Sequence, residues 1–302
     1  MFPELFNCQA PFETLIPLKN IFLLLVAVTI TGCSYSQPLK HVSAQDKFIR
    51  YTGRIKNDRD SATIYWPGTS ILVRFKGKAL KAILKDEFGK NYFNIILDGD
   101  SLRYIKLTAS KRSYTLAEGL PEGEHTIELI KRTEWDRGKS WFYGLELENA
   151  TLLPLPPKNK RVIEFFGDSI TAGYAIEDNS GKDSPDSIFT NNYYTYAALT
   201  ARHFEADYYC TVRSGIGIMV SWIPEIMPEV YNRLDPTDSL SRWDFKKVLP
   251  QIVVINLLQN DSWLVNKPEH ESFKLRFGNQ APDPQTMIRA YRSFVQSIRK
   301  AY

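Results

Sequence analysis

The sequence holds few of the residues that would narrow its chemistry at once. It has three cysteines and four histidines in 302 residues. Cys8 and Cys33 lie near the start, so Cys210 stands alone in ADYYCTV, where it reads as a small buried hydrophobe. No disulfide can form within the chain that follows Cys33. No block of one charge is present either: 38 Lys and Arg face 34 Asp and Glu, scattered, for a net +4. The basic stripe that a nucleic-acid partner needs is missing, so none is expected. GDSITAG lacks the Gly-Lys-Ser/Thr of a phosphate loop, and no GxGxxG opens a helix, which argues against a nucleotide or flavin binder. The apolar run Ile21 to Ile30 is too short to span a bilayer comfortably. What remains is an ordinary globular composition, 43% hydrophobic and 24% charged, long enough for two domains. Sixteen tyrosines suit a protein that handles sugars, although a rich core would look the same.

The apolar run follows Lys19 and suits the central region of a signal peptide. It leads into Ile30-Thr31-Gly32-Cys33 and then the polar SYSQ. This resembles the bacterial lipobox, which implies cleavage before Cys33 and lipidation of that residue. Residues 1–33 are therefore expected to be a lipoprotein signal peptide, and the mature protein a lipid-anchored resident of the bacterial cell envelope. The lead before Lys19 carries Glu4 and Glu13 where a signal peptide should be basic, so translation is expected to start near Leu18.

Residues 37–152 read as short strands and turns. Ile71, Val73 and Phe75 alternate with polar neighbours in SILVRF, and two β-rich runs flank Asp98-Gly99, a strong hairpin signal. An antiparallel sandwich or jelly roll is expected. A proline-rich linker covers 153–160. From 161 the pattern changes to continuous apolar strands (VIEFF, ADYYCTV, QIVVINLL) between amphipathic helices. The first helix is expected to place Tyr193, Tyr196, Ala197 and Thr200 on one face. The last is expected to group Met287, Ala290, Tyr291, Phe294 and Ile298. That alternation predicts a parallel sheet covered on both faces, with chemistry at the carboxyl ends of its strands.

Three polar or glycine-rich stretches fall at those ends: GDSIT, RSGIGI and LLQND. Ser169 sits at a strand-to-helix turn, the position a serine nucleophile needs. Its own N–H, an N–H of Gly217 or Gly215, and the Asn260 amide are candidate oxyanion donors. Taken singly, each has a plainer reading: Asp168 and Ser169 as helix caps, the glycines as turn residues, Asn260 and Asp261 as a polar strand exit. Their joint placement at three strand ends favours a site.

These blocks resemble those of the SGNH (GDSL-type) hydrolases, and the preceding β region makes the chain resemble carbohydrate esterase family 2. The likeness runs from about Tyr51 to the C-terminus. It implies a jelly roll followed by a flavodoxin-like hydrolase domain over 161–302. It implies Ser169 as nucleophile, Gly217 as oxyanion donor with Gly215 as the alternative, Asn260 as third donor and Asp261 as its support. Trp263 would stack on a sugar, and no metal or organic cofactor is expected. The substrate would be an acetylated plant-type polysaccharide or oligosaccharide.

Two departures stand out. Leu258 occupies a position where the pattern has glycine, which is expected to reshape the loop. The Asp-x-x-His block that supplies the family's base is absent, so the chain is expected to lack its last strands and to be a C-terminally truncated esterase. His41 and His125 belong to the β region, His203 ends a helix, and His270 follows the third block and could approach the cleft. The competing reading is a non-catalytic carbohydrate-binding lipoprotein.

Overall fold

The computed structural model describes residues 39–302. The signal-peptide stretch, the start near Leu18 and lipidation of Cys33 lie outside the described residues.

The first part is built from β1 (Lys40–Ser43), β2 (Ile49–Thr52), β3 (Ile55–Asn57), β4 (Ala62–Ile64), β5 (Ser70–Lys76) and β6 (Leu80–Asp86). It continues with β7 (Tyr92–Leu97), β8 (Ser101–Lys106), β9 (Arg112–Ala117), β10 (Glu124–Lys131), β11 (Ser140–Leu147) and β12 (Thr151–Leu153). One antiparallel sheet runs β3-β4-β11-β6-β9 with β1 also on β11; the other runs β12-β5-β10-β7-β8 with β2 also on β5. The period-two pattern decides how they meet. Ile71, Val73 and Phe75 of β5 and Ile127 and Leu129 of β10 share one core with Ala82, Leu84, Phe142 and Leu145 of the facing sheet. Between β7 and β8 the chain turns with φ of +52° at Asp98 and +83° at Gly99, the left-handed pair that suits a tight hairpin.

Residues 154–160 have no regular structure, yet they are tied down: Arg74 donates to the Pro154 carbonyl at 3.4 Å, and Arg50 to that of Pro157 at the same distance. A parallel sheet follows, with β13 (Arg161–Gly167) between β14 (Ala206–Val212) and β15 (Ile252–Asn256). Its helices are α1 (Ser169–Ala172), α2 (Tyr196–His203), α3 (Met227–Val230), α4 (Gln259–Leu264), α5 (Glu271–Phe277) and α6 (Pro284–Ala301). Both faces of β13 are covered. Ile163 and Phe165 pack under Ala197 and Ala201 of α2, while Phe166 packs on Phe294 and Ile298 of α6. Helix α6 buries the face read from its sequence. Helix α2 does not: it buries Ala197, Ala198 and Ala201, leaves Tyr196 exposed, and begins after a separate 3-10 turn that holds Tyr193. The Asn191 amide side chain caps that turn and the Thr195 hydroxyl caps α2, so the helical period starts later than the run of tyrosines.

The two parts are joined by buried polar contacts. Arg54 pairs with Glu164 of β13 at 2.9 Å and donates to the carbonyls of Tyr231 and Arg233. The Trp66 indole N–H donates to the Leu234 carbonyl at 3.0 Å, and Asn94 to Asn191 at 2.8 Å.

Candidate active site

β13 ends at Gly167, and Asp168 turns the chain into α1 by accepting the Ile170 N–H at 3.1 Å. Gly173 closes this single turn with φ of +80°. Ser169 is thereby set at the first helical position and half-buried, where its N–H has no intrahelical partner. Among the described residues its hydroxyl makes no hydrogen bond. Burial pushes the Asp168 carboxyl above its usual range, and the carboxylates of Asp261 and Glu134 add to that rise.

Ser169 lines a cleft of about 570 Å³ together with Gly215, Trp222, Asn260, Asp136 and Arg213. Three strand ends therefore converge as the sequence predicts. The Gly215 N–H is unpartnered among the described residues, and φ of +80° at this position requires a residue that tolerates the left-handed region. Asn260 donates to the Ile216 carbonyl at 2.9 Å, which leaves its second N–H with a 3.5 Å contact to Asp168.

Gly217 is not available as a donor, and this corrects the first choice of oxyanion residue. Its N–H is buried and donates to the Ser221 hydroxyl at 2.8 Å. A side chain there would lie 2.0 Å from the Val220 carbonyl and 2.5 Å from Asp261, so glycine is needed for space rather than for catalysis. Asp261 is fully buried, and its carboxylate gathers the N–H groups of Ile218, Met219 and Val220 at 2.6 to 3.1 Å. It braces the second loop as a whole.

Trp263 is also displaced from its expected role. It is 61% exposed on α4 and is not part of the cleft wall. The aromatic residues on that wall are Tyr174 and Trp222, and the Trp222 ring meets His270 edge-on at 5.1 Å between centroids. His270 itself caps α5, its Nδ1 accepting the Ser272 N–H at 3.2 Å. A neutral imidazole with Nδ1 engaged carries its proton on Nε2 and has no free acceptor for a serine proton. His125 is held by Asp98 at 2.8 Å, and no histidine lines the cleft among the described residues.

Leu258 adopts φ of +89°, in the left-handed region that favours glycine. A leucine held there carries strain of about 1–2 kcal/mol.

Sequence reasoning missed the contribution of the β part. Glu134 reaches across to accept the Ser214 N–H and the Ser214 hydroxyl, both at 2.5 Å, and Arg213 at 3.2 Å. Arg213 also pairs with Asp136 at 3.2 Å. The loop that carries Gly215 is thus held from the neighbouring part. The buried Lys131 amine holds Glu134 in turn, donating to the carbonyls of Thr133 and Glu134 at 2.5 and 3.0 Å. The available signal was the unusual charge density of IKRTEWDR directly before β11.

Residues 51–156 match the family model described as Carbohydrate esterase 2 N-terminal. The cellulase/esterase CelE of Acetivibrio thermocellus is 33% identical over 257 residues, covering 84% of this chain and 30% of that protein. The chain therefore matches under a third of that relative's length. An acetylxylan esterase / glucomannan deacetylase of Cellvibrio japonicus is 28% identical over 288 residues, covering 92% of this chain and 76% of that one. The structure of a family two carbohydrate esterase from Clostridium thermocellum, in complex with cellohexaose, superposes with a TM-score of 0.75 at 32% identity, over 84% of this chain and 74% of that chain. That solved structure shares a sheet-rich first part and an α/β second part with the present chain.

Proposed function

Because the chain belongs to carbohydrate esterase family 2, we propose that it forms the nucleophile and oxyanion hole of a serine esterase that removes acetyl or small acyl groups from a polysaccharide or oligosaccharide. The observation that carries this reading is the convergence of Ser169, the unpartnered Gly215 N–H and the Asn260 amide in one cleft. Ser169 Oγ attacks the ester carbonyl carbon. The oxygen that becomes negative is received by the N–H groups of Ser169 and Gly215 and by Asn260. Each such donor contributes about 2.7–4 kcal/mol to the transition state. Trp222 supplies an apolar wall for a sugar ring, and Asp136 and Arg213 supply polar contacts at the rim.

In the same reading the β part is a jelly roll over 37–152, the 153–160 segment a linker, and the remainder an SGNH hydrolase domain. Cys33 would anchor the protein by lipid in the bacterial cell envelope. Among the described residues no histidine lines the cleft to take the proton from Ser169. A serine without its base retains only the oxyanion-hole share of catalysis, about 10³–10⁴-fold over water.

Free imidazole is therefore the test. Slow hydrolysis of an aryl acetate and of acetylated xylan should rise with imidazole beyond the buffer background, and Ser169→Ala should abolish the gain. An equal gain in Ser169→Ala refutes the assignment of the nucleophile. No gain in either protein, with oligosaccharide binding intact, favours the non-catalytic binding reading, which the missing cleft histidine supports.

A further inference from the structure

A second cavity, of about 400 Å³, lies at the other end of the parallel sheet, where β14 begins rather than where it ends. Its walls come from β5 and β10 of the β part and from α2 and β14 of the α/β part. Strand alternation places Glu128 there. Ile127 and Leu129 point into the core between the two antiparallel sheets, so the residue between them points outward, onto the α/β part. Asp207, the second residue of β14, lines the same space.

The polar groups of this cavity are short of partners. The Glu128 carboxylate has the Ser70 hydroxyl beside it and the Arg202 charge nearby, but no bond to it meets hydrogen-bond geometry among the described residues. Arg202 is committed elsewhere, lying 3.7 Å from the centre of the Tyr193 ring and donating to the Tyr193 carbonyl at 2.8 Å. Asn192 is fully buried and its Oδ1 accepts nothing. The buried Tyr208 hydroxyl is likewise unpartnered. Burial raises the carboxyls of both Glu128 and Asp207, and the Ser70 hydroxyl beside Glu128 and the Asn159 amide beside Asp207 offset only part of that rise.

We infer that this cavity binds a pyranose unit of a glycan, separately from the serine cleft. The lining sets acceptors (Glu128, Asp207) beside donors (Asn159, Arg202), which matches a ligand whose hydroxyls both donate and accept. The acceptors sit on three different elements, which suits hydroxyls spread around a ring. A metal ion would need them gathered, and among the described residues no three acidic, histidine or cysteine side chains converge in that way. Ile130, Ala198 and Ala201 give the cavity apolar wall for ring C–H surface, and its volume lies in the range of about 300–1,000 Å³ common for small-ligand sites. Only the choice of a glycan as the source of the ring rests on the proposed function.

The test is an amide NMR titration of the protein with xylobiose and with cellobiose. Two sets of saturating shifts are expected, one around Glu128, Arg202 and Asp207 and one around Ser214 and Gly215. Glu128→Ala should weaken the first set about tenfold or more and leave the second unchanged. Asp207→Asn, the milder change, should act in the same direction. Shifts at the cleft with none at Glu128 overturn the inference while sparing the esterase reading. Shifts at Glu128 with none at the cleft support the inference and count against that reading. A diamine that moves the Glu128 set when neither sugar does overturns the assignment to a pyranose.

Discussion

Asp261→Asn tests how the second loop is held. In the native chain one carboxylate accepts three backbone N–H groups, from Ile218, Met219 and Val220, inside a site with no solvent exposure. A hydrogen bond to a charged group is worth about 1.5–3 kcal/mol and a neutral one about 0.5–1.5, so neutralising the acceptor loses about 1 kcal/mol for each donor. The new amide also turns an N–H toward a site lined with N–H donors. The expected loss is about 3 kcal/mol, or roughly 6–12 °C in Tm for a chain of this size. Thermal unfolding followed by near-UV circular dichroism gives the global figure, and hydrogen exchange at Ile218, Met219 and Val220 shows whether the loop opens first. A variant that melts within about a degree of the parent, with those amides equally protected, would show that the charge of Asp261 does not hold the loop.

Two further outcomes follow from buried groups. Gly217→Ala drives a methyl into the Val220 carbonyl, whereas Gly215→Ala meets Trp222 at 3.2 Å and pays mainly for its positive φ. Urea unfolding should place Gly217→Ala below Gly215→Ala by at least about 2 kcal/mol, and equal stabilities would remove the spatial argument. Burial lowers the Lys131 amine to about 7, below its unfolded value, so the unfolded chain binds the extra proton between about pH 7 and 10. Stability attributable to Lys131 must then rise with pH across that window, by up to about 5 kcal/mol. Lys131→Met should flatten that rise relative to the parent, and parallel pH profiles would show that the amine does not titrate there.

Local order was the legible part of this molecule. The Asp98-Gly99 hairpin, the apolar face of α6 and the three strand ends all depend on residues a few positions apart, where side-chain period and backbone preference report directly. The cleft was half legible for the same reason: Ser169, Gly215 and Asn260 each follow a strand. Choosing between Gly215 and Gly217 was beyond the sequence, because it turns on which N–H the Ser221 hydroxyl takes. Trp222 and Trp263 were equally indistinct, since each is a tryptophan close to a motif and only packing separates a cleft wall from an exposed helix face. Glu164 was hidden in VIEFF, a run that reads as apolar, because its partner Arg54 lies 110 residues earlier. The bond from Glu134 to Ser214 spans 80 residues and leaves no periodic trace.

That last bond bears on how such proteins can be recombined. Glu134 lies ahead of β11 in the β part, yet it clamps the loop whose Gly215 shares a cleft with Ser169. A cut at the proline-rich stretch looks clean on paper, but it severs the cleft from its own scaffolding. A chimaera that grafts a foreign β part onto 161–302 would have to carry Lys131 and Glu134 with it. Without them the graft would leave Ser214 unclamped and the Gly215 loop free to wander, even if both halves folded well.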